Sequence, residues 1–182
     1  YETHALLHYA RAAKVPTGFG WIGQDGEVDP SHPVELWITG RMTFAFSLGV
    51  LMGIPGCRRY ADHGVRALST ALRDHEHGGW FSAIRHELDA DGHGVPADPD
   101  GRKECYQHAF VLLAAATATA ANRPGATELL RDAIECQDRY WWDEDFGMPI
   151  ESYAADLTDP EDYRGINAAM HTVEAYLATA DV

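Results

Sequence analysis

The chain has 182 residues, of which 46% are hydrophobic and 23% charged; this is enough apolar material for one well-cored domain and excludes a disordered segment. Lys and Arg total 14 against 28 Asp and Glu, a formal net charge of -14, so no basic stripe exists to neutralise phosphates and no nucleic-acid partner is expected. The longest apolar stretch, Ala109 to Ala121, is shorter than the ~20 residues a bilayer span needs and is interrupted by Thr117 and Thr119, so no membrane helix is expected.

Apolar residues recurring at three and four residue intervals predict six helices, at about 3–13, 34–53, 57–74, 102–122, 126–142 and 164–180, each bounded by Gly, Pro or Asp. The first lacks the basic-then-apolar pattern of a signal peptide. Cys57, Cys105 and Cys136 form no CxxC pair and are odd in number, which argues against a disulfide framework or a cysteine zinc site and fits a reducing cytoplasm. The second predicted helix, ELWITGRMTFAFSLGVLMG, carries Arg41 as its one cation, with Trp37 one turn earlier on the same face. A helix so apolar is buried on most sides, so Arg41 either pairs with a carboxylate for structure or points into a solvated pocket. Trp37 either belongs to the core or stacks on the apolar face of a ring.

Between the third and fourth helices, His75 to Gly101 has room for a small hairpin around Trp80 to Arg85. The fourth helix opens KECYQHAFVLLAAATATAA. There Tyr106 is a core tyrosine or a pocket residue, and His108, on a different face, is structural or contacts a loop. On the sixth helix, YRGINAAMHTVEAYLATA, Asn167, His171 and Glu174 fall at i, i+4 and i+7 along one stripe. Burial without partners costs each such group about 1–3 kcal/mol, so the stripe requires a pocket or a buried polar network. A carboxylate beside a histidine fixes its tautomer and raises its basicity, which suits acid–base work or polar substrate binding.

Other site readings are weaker. His4 and His8 share a helix face without the Glu of an HExxH, and His75, Glu76 and His77 sit in a loop before Gly78 and Gly79, so no metal site is expected. GxSxG, Walker and GxGxxG patterns are missing from the sequence, and no cofactor is expected. The acidic runs Asp89 to Asp91 and Asp143 to Asp145 read as solvated loop surface.

A repeat is also present. A Gly-plus-bulky step, Gly20-Trp21, Gly79-Trp80 and Gly147-Met148, precedes the second, fourth and sixth helices, and Arg41, Tyr106 and His171 are equally spaced along the chain. Helical hairpins related by a rotation bring equivalent positions to one axis, so the expected fold is all-α, an α/α toroid. Six helices make three hairpins and do not close such a ring, which leaves an exposed apolar edge.

The segments PVELWITGRMTFAFSLG, HGGWF, YQHAFVLLAAA, YWWDEDFGMPIES and GINAAMHTVEAYLA, in this order from about residue 18 onward, resemble the N-acylglucosamine 2-epimerase superfamily, particularly its mannose isomerase and sulfoquinovose isomerase-like branch. The resemblance implies an (α/α)6 barrel whose inner helices line a sugar pocket. Residues 1–182 then form one domain, the N-terminal half of that barrel. By motif match, Trp37 and Arg41 belong to the pocket, Tyr106 contacts sugar hydroxyls, Asn167 and His171 engage the ring end of the substrate, and Glu174 stands behind them. The family pattern often has a second Asn where this chain has Ala169. Family members are about twice this length, and their principal proton-transfer histidines lie in a second half with no counterpart here.

The activity so implied is interconversion of an aldose and a ketose, foremost D-mannose and D-fructose, through a cis-enediolate and without metal or nucleotide. His171 and Arg41 are the expected catalytic residues, and Trp37, Tyr106, Asn167 and Glu174 the expected substrate contacts. Two alternatives stay open: 2-epimerisation of an N-acylglucosamine or of a disaccharide reducing end such as cellobiose, and a non-catalytic sugar-binding or assembly module. The expected partners are a monosaccharide and, across the open edge, a second copy in a homodimer.

Overall fold

The computed structural model describes residues 2–182. Helix α1 (Glu2–Ala10) continues into one 3-10 turn at Arg11–Ala13, and five further helices follow: α2 (Leu36–Leu51), α3 (Arg58–Ser69), α4 (Cys105–Ala120), α5 (Ala126–Tyr140) and α6 (Ile166–Ala180). Composition decides which of them lie inside. Nearly every residue of α4 from Cys105 to Ala118 is buried, and its Ala-rich surface lets neighbours approach on all sides, so it packs against α2, α6 and α5 and also touches α3. In contrast α5 buries only Ala126, Leu129, Leu130, Ala133, Cys136 and Gln137, a single stripe at helical spacing, and lies outside. Helix α3 does the same through Tyr60, Ala61, Val65 and Leu68.

Within the inner row, α2 and α4 pack tightly at Gly40 of α2. A Cβ there would lie 2.9 Å from the Phe110 Cβ and 3.1 Å from the Phe110 carbonyl oxygen, so only glycine lets the two helices meet at this separation. The outer helices return the chain after each inner one, so α2, α4 and α6 run the same way and their N-terminal turns share one end of the molecule. The arrangement is an arc of an α/α toroid. Its free edge is α6, whose inner side buries Ala168, Thr172 and Ala175 while Ile166, Met170, Val173 and Leu177 form an exposed apolar stripe.

All-α describes the frame but not the connections, which hold short strands, two of them, Val34–Glu35 and Lys103–Glu104, where helix was expected. β1 (Lys14–Val15) pairs with β2 (Gly18–Phe19). β3 (Val34–Glu35) and β5 (Gly94–Pro96) flank β4 (Ala83–Leu88). β6 (Lys103–Glu104) pairs with β9 (Ser152–Tyr153), and β7 (Trp142–Asp143) with β8 (Met148–Pro149). The hairpin after α3 therefore forms beyond Trp80, which is buried and donates its indole N–H to the Leu68 carbonyl at 2.7 Å. Helix α3 ends at Ser69 rather than at residue 74, because Thr70 leaves the helical region and Asp74 caps the next turn by accepting the amides of Glu76 and His77 at 2.9 and 3.1 Å.

One acidic run departs from the solvated-surface reading. Asp143 binds Arg164 at 2.6 Å, with side-chain exposures of 17% and 13%, and this bond holds its carboxyl below the usual range. Asp89 matches the reading, sitting exposed at the β4–β5 turn and accepting the amides of Asp91 and His93.

Candidate active site

The first two turns of α2, α4 and α6 carry a ladder of two rungs. Trp37, Tyr106 and Asn167 are each the second residue of their helix, and Arg41, Phe110 and His171 each the sixth. The equal chain spacing of Arg41, Tyr106 and His171 therefore does not mark equivalent positions, because the connections before α4 and α6 differ in length. Equivalence lies within each rung, and Phe110 occupies the place on α4 that Arg41 and His171 hold on its neighbours.

Side chains of three helices meet here. Arg41 donates from Nη2 to the Tyr106 hydroxyl at 3.0 Å. Its guanidinium carbon lies 4.2 Å from the Phe110 ring centroid, 5.5 Å from that of Trp37 and 5.9 Å from that of Tyr106. Arg41 is exposed and has no carboxylate partner among the described residues, which decides between the two readings of it: the side chain looks into solvent on the open inner face. The His171 ring stands edge to face with Tyr106 at 5.2 Å and lies 4.7 Å from Phe110.

Behind it, His171 Nδ1 lies 3.0 Å from Glu174 Oε2. An ionised carboxylate only accepts, so Nδ1 carries the hydrogen and the neutral ring keeps Nε2 as its basic nitrogen. Asn167 is exposed at the first turn of α6 and makes no hydrogen bond among the described residues. The ladder has the parts of a polyol site with acid–base capacity: a charged donor with free N–H groups, a phenol, an amide, an oriented imidazole and a flat indole. It lines an open face rather than an enclosed hollow. A cavity of about 570 Å³ bounded by Asp74, Phe81, Ser82, Lys103 and Glu104 includes none of the six candidate residues.

His108 lies away from this face. It is buried, its Nε2 accepts the Trp80 amide at 3.1 Å and its Nδ1 donates to the Glu104 carbonyl at 2.8 Å, so it ties the Gly79-Trp80 turn to the start of α4. Burial pushes its pKa down to about 3. The folded ring then stays neutral where an unfolded chain takes up a proton, so stability falls as pH drops below about 6.5 and goes on falling toward pH 3. For this group alone the slope is about 1.4 kcal/mol per pH unit, or about 2 kcal/mol between pH 6.5 and 5. Urea unfolding at the two pH values measures it; equal free energies would refute it.

Phe110 escaped the reading of residue types because an apolar residue on an apolar helix carries no signal. Spacing held the clue: Trp37 to Arg41 and Asn167 to His171 are both i, i+4, and the same step from Tyr106 lands on Phe110. The His75-Glu76-His77 segment gathers no metal ligands. His77 instead faces Asp74 at 3.4 Å, and among the described residues no three His, Cys, Asp or Glu side chains converge as a metal site.

Residues 18–182 match the family described as N-acylglucosamine 2-epimerase (GlcNAc 2-epimerase). The chain is 48% identical over 181 residues to a D-mannose isomerase of Thermobifida fusca, covering 99% of this chain and 42% of that protein. It is 44% identical over 182 residues to a D-mannose isomerase of Pseudomonas cannabina pv. alisalensis, covering 100% of this chain and 41% of that one. The chain thus spans less than half the length of these relatives. Among solved structures, that of a D-mannose isomerase superposes with a TM-score of 0.81 at 24% identity, over 99% of this chain and 44% of that one. A cellobiose 2-epimerase from Bacillus thermoamylovorans B4167 gives 0.82 at 18% identity, over 100% and 49%. The likeness to these structures is one of fold: the arc of helix pairs is part of a helical toroid.

Proposed function

The chain belongs to the N-acylglucosamine 2-epimerase family, and on that premise we propose that the protein carrying it interconverts D-mannose and D-fructose. One observation carries the reading beyond the family: Arg41, Tyr106 and His171, on three different helices, meet on one open face beside a carboxylate that orients the imidazole. The two relatives at 44% and 48% identity, both D-mannose isomerases, support the choice of sugar.

The reaction begins by opening the pyranose, which needs a proton delivered to the ring oxygen and one taken from the C1 hydroxyl. His171, with Glu174 behind it, serves this step. In the open aldose the carbonyl acidifies the C2 hydrogen. A base removes that hydrogen, the electron pair moves into a C1–C2 double bond, and negative charge gathers on O1 of a cis-enediolate. Arg41 faces that oxygen, and Tyr106 and Asn167 hold neighbouring hydroxyls in place. Transfer of the O2 proton to O1, followed by return to C1 of the proton that the base took from C2 as the C2 carbonyl forms, gives the ketose. The C2 base belongs to the part of the protein that completes the ring. Arg41 supplies the positive charge that the enediolate oxygen needs, and we read the reaction as proceeding without metal or nucleotide. The stripe Ile166, Met170, Val173 and Leu177 supports pairing of two copies when the 182-residue chain stands alone.

Incubation with D-mannose in heavy water tests the reading. Formation of fructose with solvent deuterium in the sugar is the expected result. Glucose as the only product would replace isomerisation by 2-epimerisation, and sugar binding with no hydrogen exchange would leave a binding module.

A further inference from the structure

We propose that Phe110 is a positioning residue that holds Arg41 and His171 in register for the sugar, an inference that rests on the isomerase reading. Arg41 is held unlike the arginines that pair with carboxylates. Arg73, Arg123 and Arg164 lie against Asp132, Asp62 and Asp143 at 2.6, 3.2 and 2.6 Å, and Arg102 lies 3.3 Å from Asp159. Arg73 and Arg164 lie over rings as well, Trp80 at 4.9 Å and Phe146 at 5.5 Å, but beside a carboxylate; Arg41 has rings and, among the described residues, no carboxylate, and Phe110 is the nearest, 4.2 Å from the guanidinium carbon. A ring face attracts the cation without neutralising it and without taking its N–H groups. Among the described residues only the Tyr106 hydroxyl uses a donor, so the remaining edge of the fork is left for ligand oxygens. A carboxylate in the same place would cancel the charge that a developing enediolate needs.

The same ring reaches the imidazole. Phe110 lies 4.7 Å from His171 at an interplanar angle of 49°, and 5.2 Å from Tyr106 edge to face. It therefore contacts Arg41, Tyr106 and His171 alike. It is also firmly placed. Phe110 is 4% exposed, and Gly40 brings the α2 backbone onto its Cβ and carbonyl, so the residue is anchored where the two helices pack tightly. The ladder thus pairs two polar working groups with one rigid apolar spacer at the same level.

The test compares Phe110→Leu, which removes the ring, with Phe110→Tyr, which keeps it. Proton resonances of the Arg41 side chain and the His171 ring report ring-current shifts from Phe110. In Phe110→Leu these resonances are expected to move toward unshifted positions, and kcat for mannose to fall on the order of 10-fold to 100-fold with a smaller change in KM. Phe110→Tyr is expected to restore both the shifts and the turnover to within about threefold of wild type. The proposal is overturned if Phe110→Leu leaves the resonances in place. Equal loss in both variants together with lowered melting temperatures also overturns it, since that is the signature of a space-filling role. If the wild-type protein converts no sugar, the isomerase reading fails while the resonance comparison still decides whether Phe110 positions Arg41 and His171.

Discussion

Replacing His171 by Gln is expected to lower the rate of mannose–fructose interconversion by about 10²–10⁴-fold, the range that a positioned acid–base group contributes. The substitution is chosen for what it keeps. Gln is close to the imidazole in reach, and its amide can still donate toward Glu174, which in the native site lies 3.0 Å from His171 Nδ1. What it lacks is a basic nitrogen at the place of Nε2, so ring opening loses its proton carrier while the polar contact survives. A fall in kcat with KM changed by less than about threefold identifies a proton-transfer role, whereas a rise in KM alone identifies uniform binding. Replacing Glu174 by Gln is expected to cost less, because the imidazole remains and only its tautomer and orientation are less firmly fixed. Turnover of His171→Gln within about threefold of wild type would remove the histidine from the mechanism.

The outer helices were legible because burial on one side imposes a period on 12 to 15 residues, as in α3 and α5. The strands were not. Val34 pairs with Ile84 and Lys103 with Tyr153, so each short strand is stabilised by a partner about fifty residues away and shows no alternation of its own. That is why the second and fourth helices were read as starting two or three residues early, swallowing Val34–Glu35 and Lys103–Glu104. The site shows the same division. Arg41, Tyr106 and His171 stood out as polar groups on apolar helices, and they do meet. The equal interval that first tied them together, however, reflects loop lengths, and the true equivalence of Arg41 and His171 with Phe110 appears only when helix starts are known. Asn167 remains apart from the contact network, so its part in sugar binding rests on the family motif and on its place in the first rung.

Lys103→Met is expected to destabilise the fold by about 3–5 kcal/mol, the usual consequence of leaving one member of a buried ion pair without its partner. Lys103 and Asp74 have side-chain exposures of 2% and 3%, and Nζ donates to Asp74 Oδ2 at 2.6 Å and to the Gly78 carbonyl at 2.7 Å. Burial alone pushes the Asp74 carboxyl up. The bond and charge of Lys103, together with the amides of His77 and Glu76, outweigh it and leave the carboxyl below its usual range. Its contribution is therefore present above ordinary carboxylate pKa values and lost as pH falls through the lowered folded value. In Lys103→Met the sign reverses: burial without the ammonium raises the Asp74 pKa, and the carboxyl escapes its penalty by taking up a proton in acid. The gap in melting temperature between wild type and variant should then be roughly 6–20 °C near neutrality and narrow toward pH 4. A second substitution, Asp74→Asn, removes the stranded charge while keeping an acceptor for the Glu76 and His77 amides, and is expected to recover part of the loss at neutral pH. The pair also matters for the site, since it clamps the turn after Asp74 onto the strand immediately ahead of Cys105 and Tyr106. Melting of Lys103→Met within about 2 °C of wild type at pH 7 would show that the ammonium is dispensable, and with it this account of how the first rung is held.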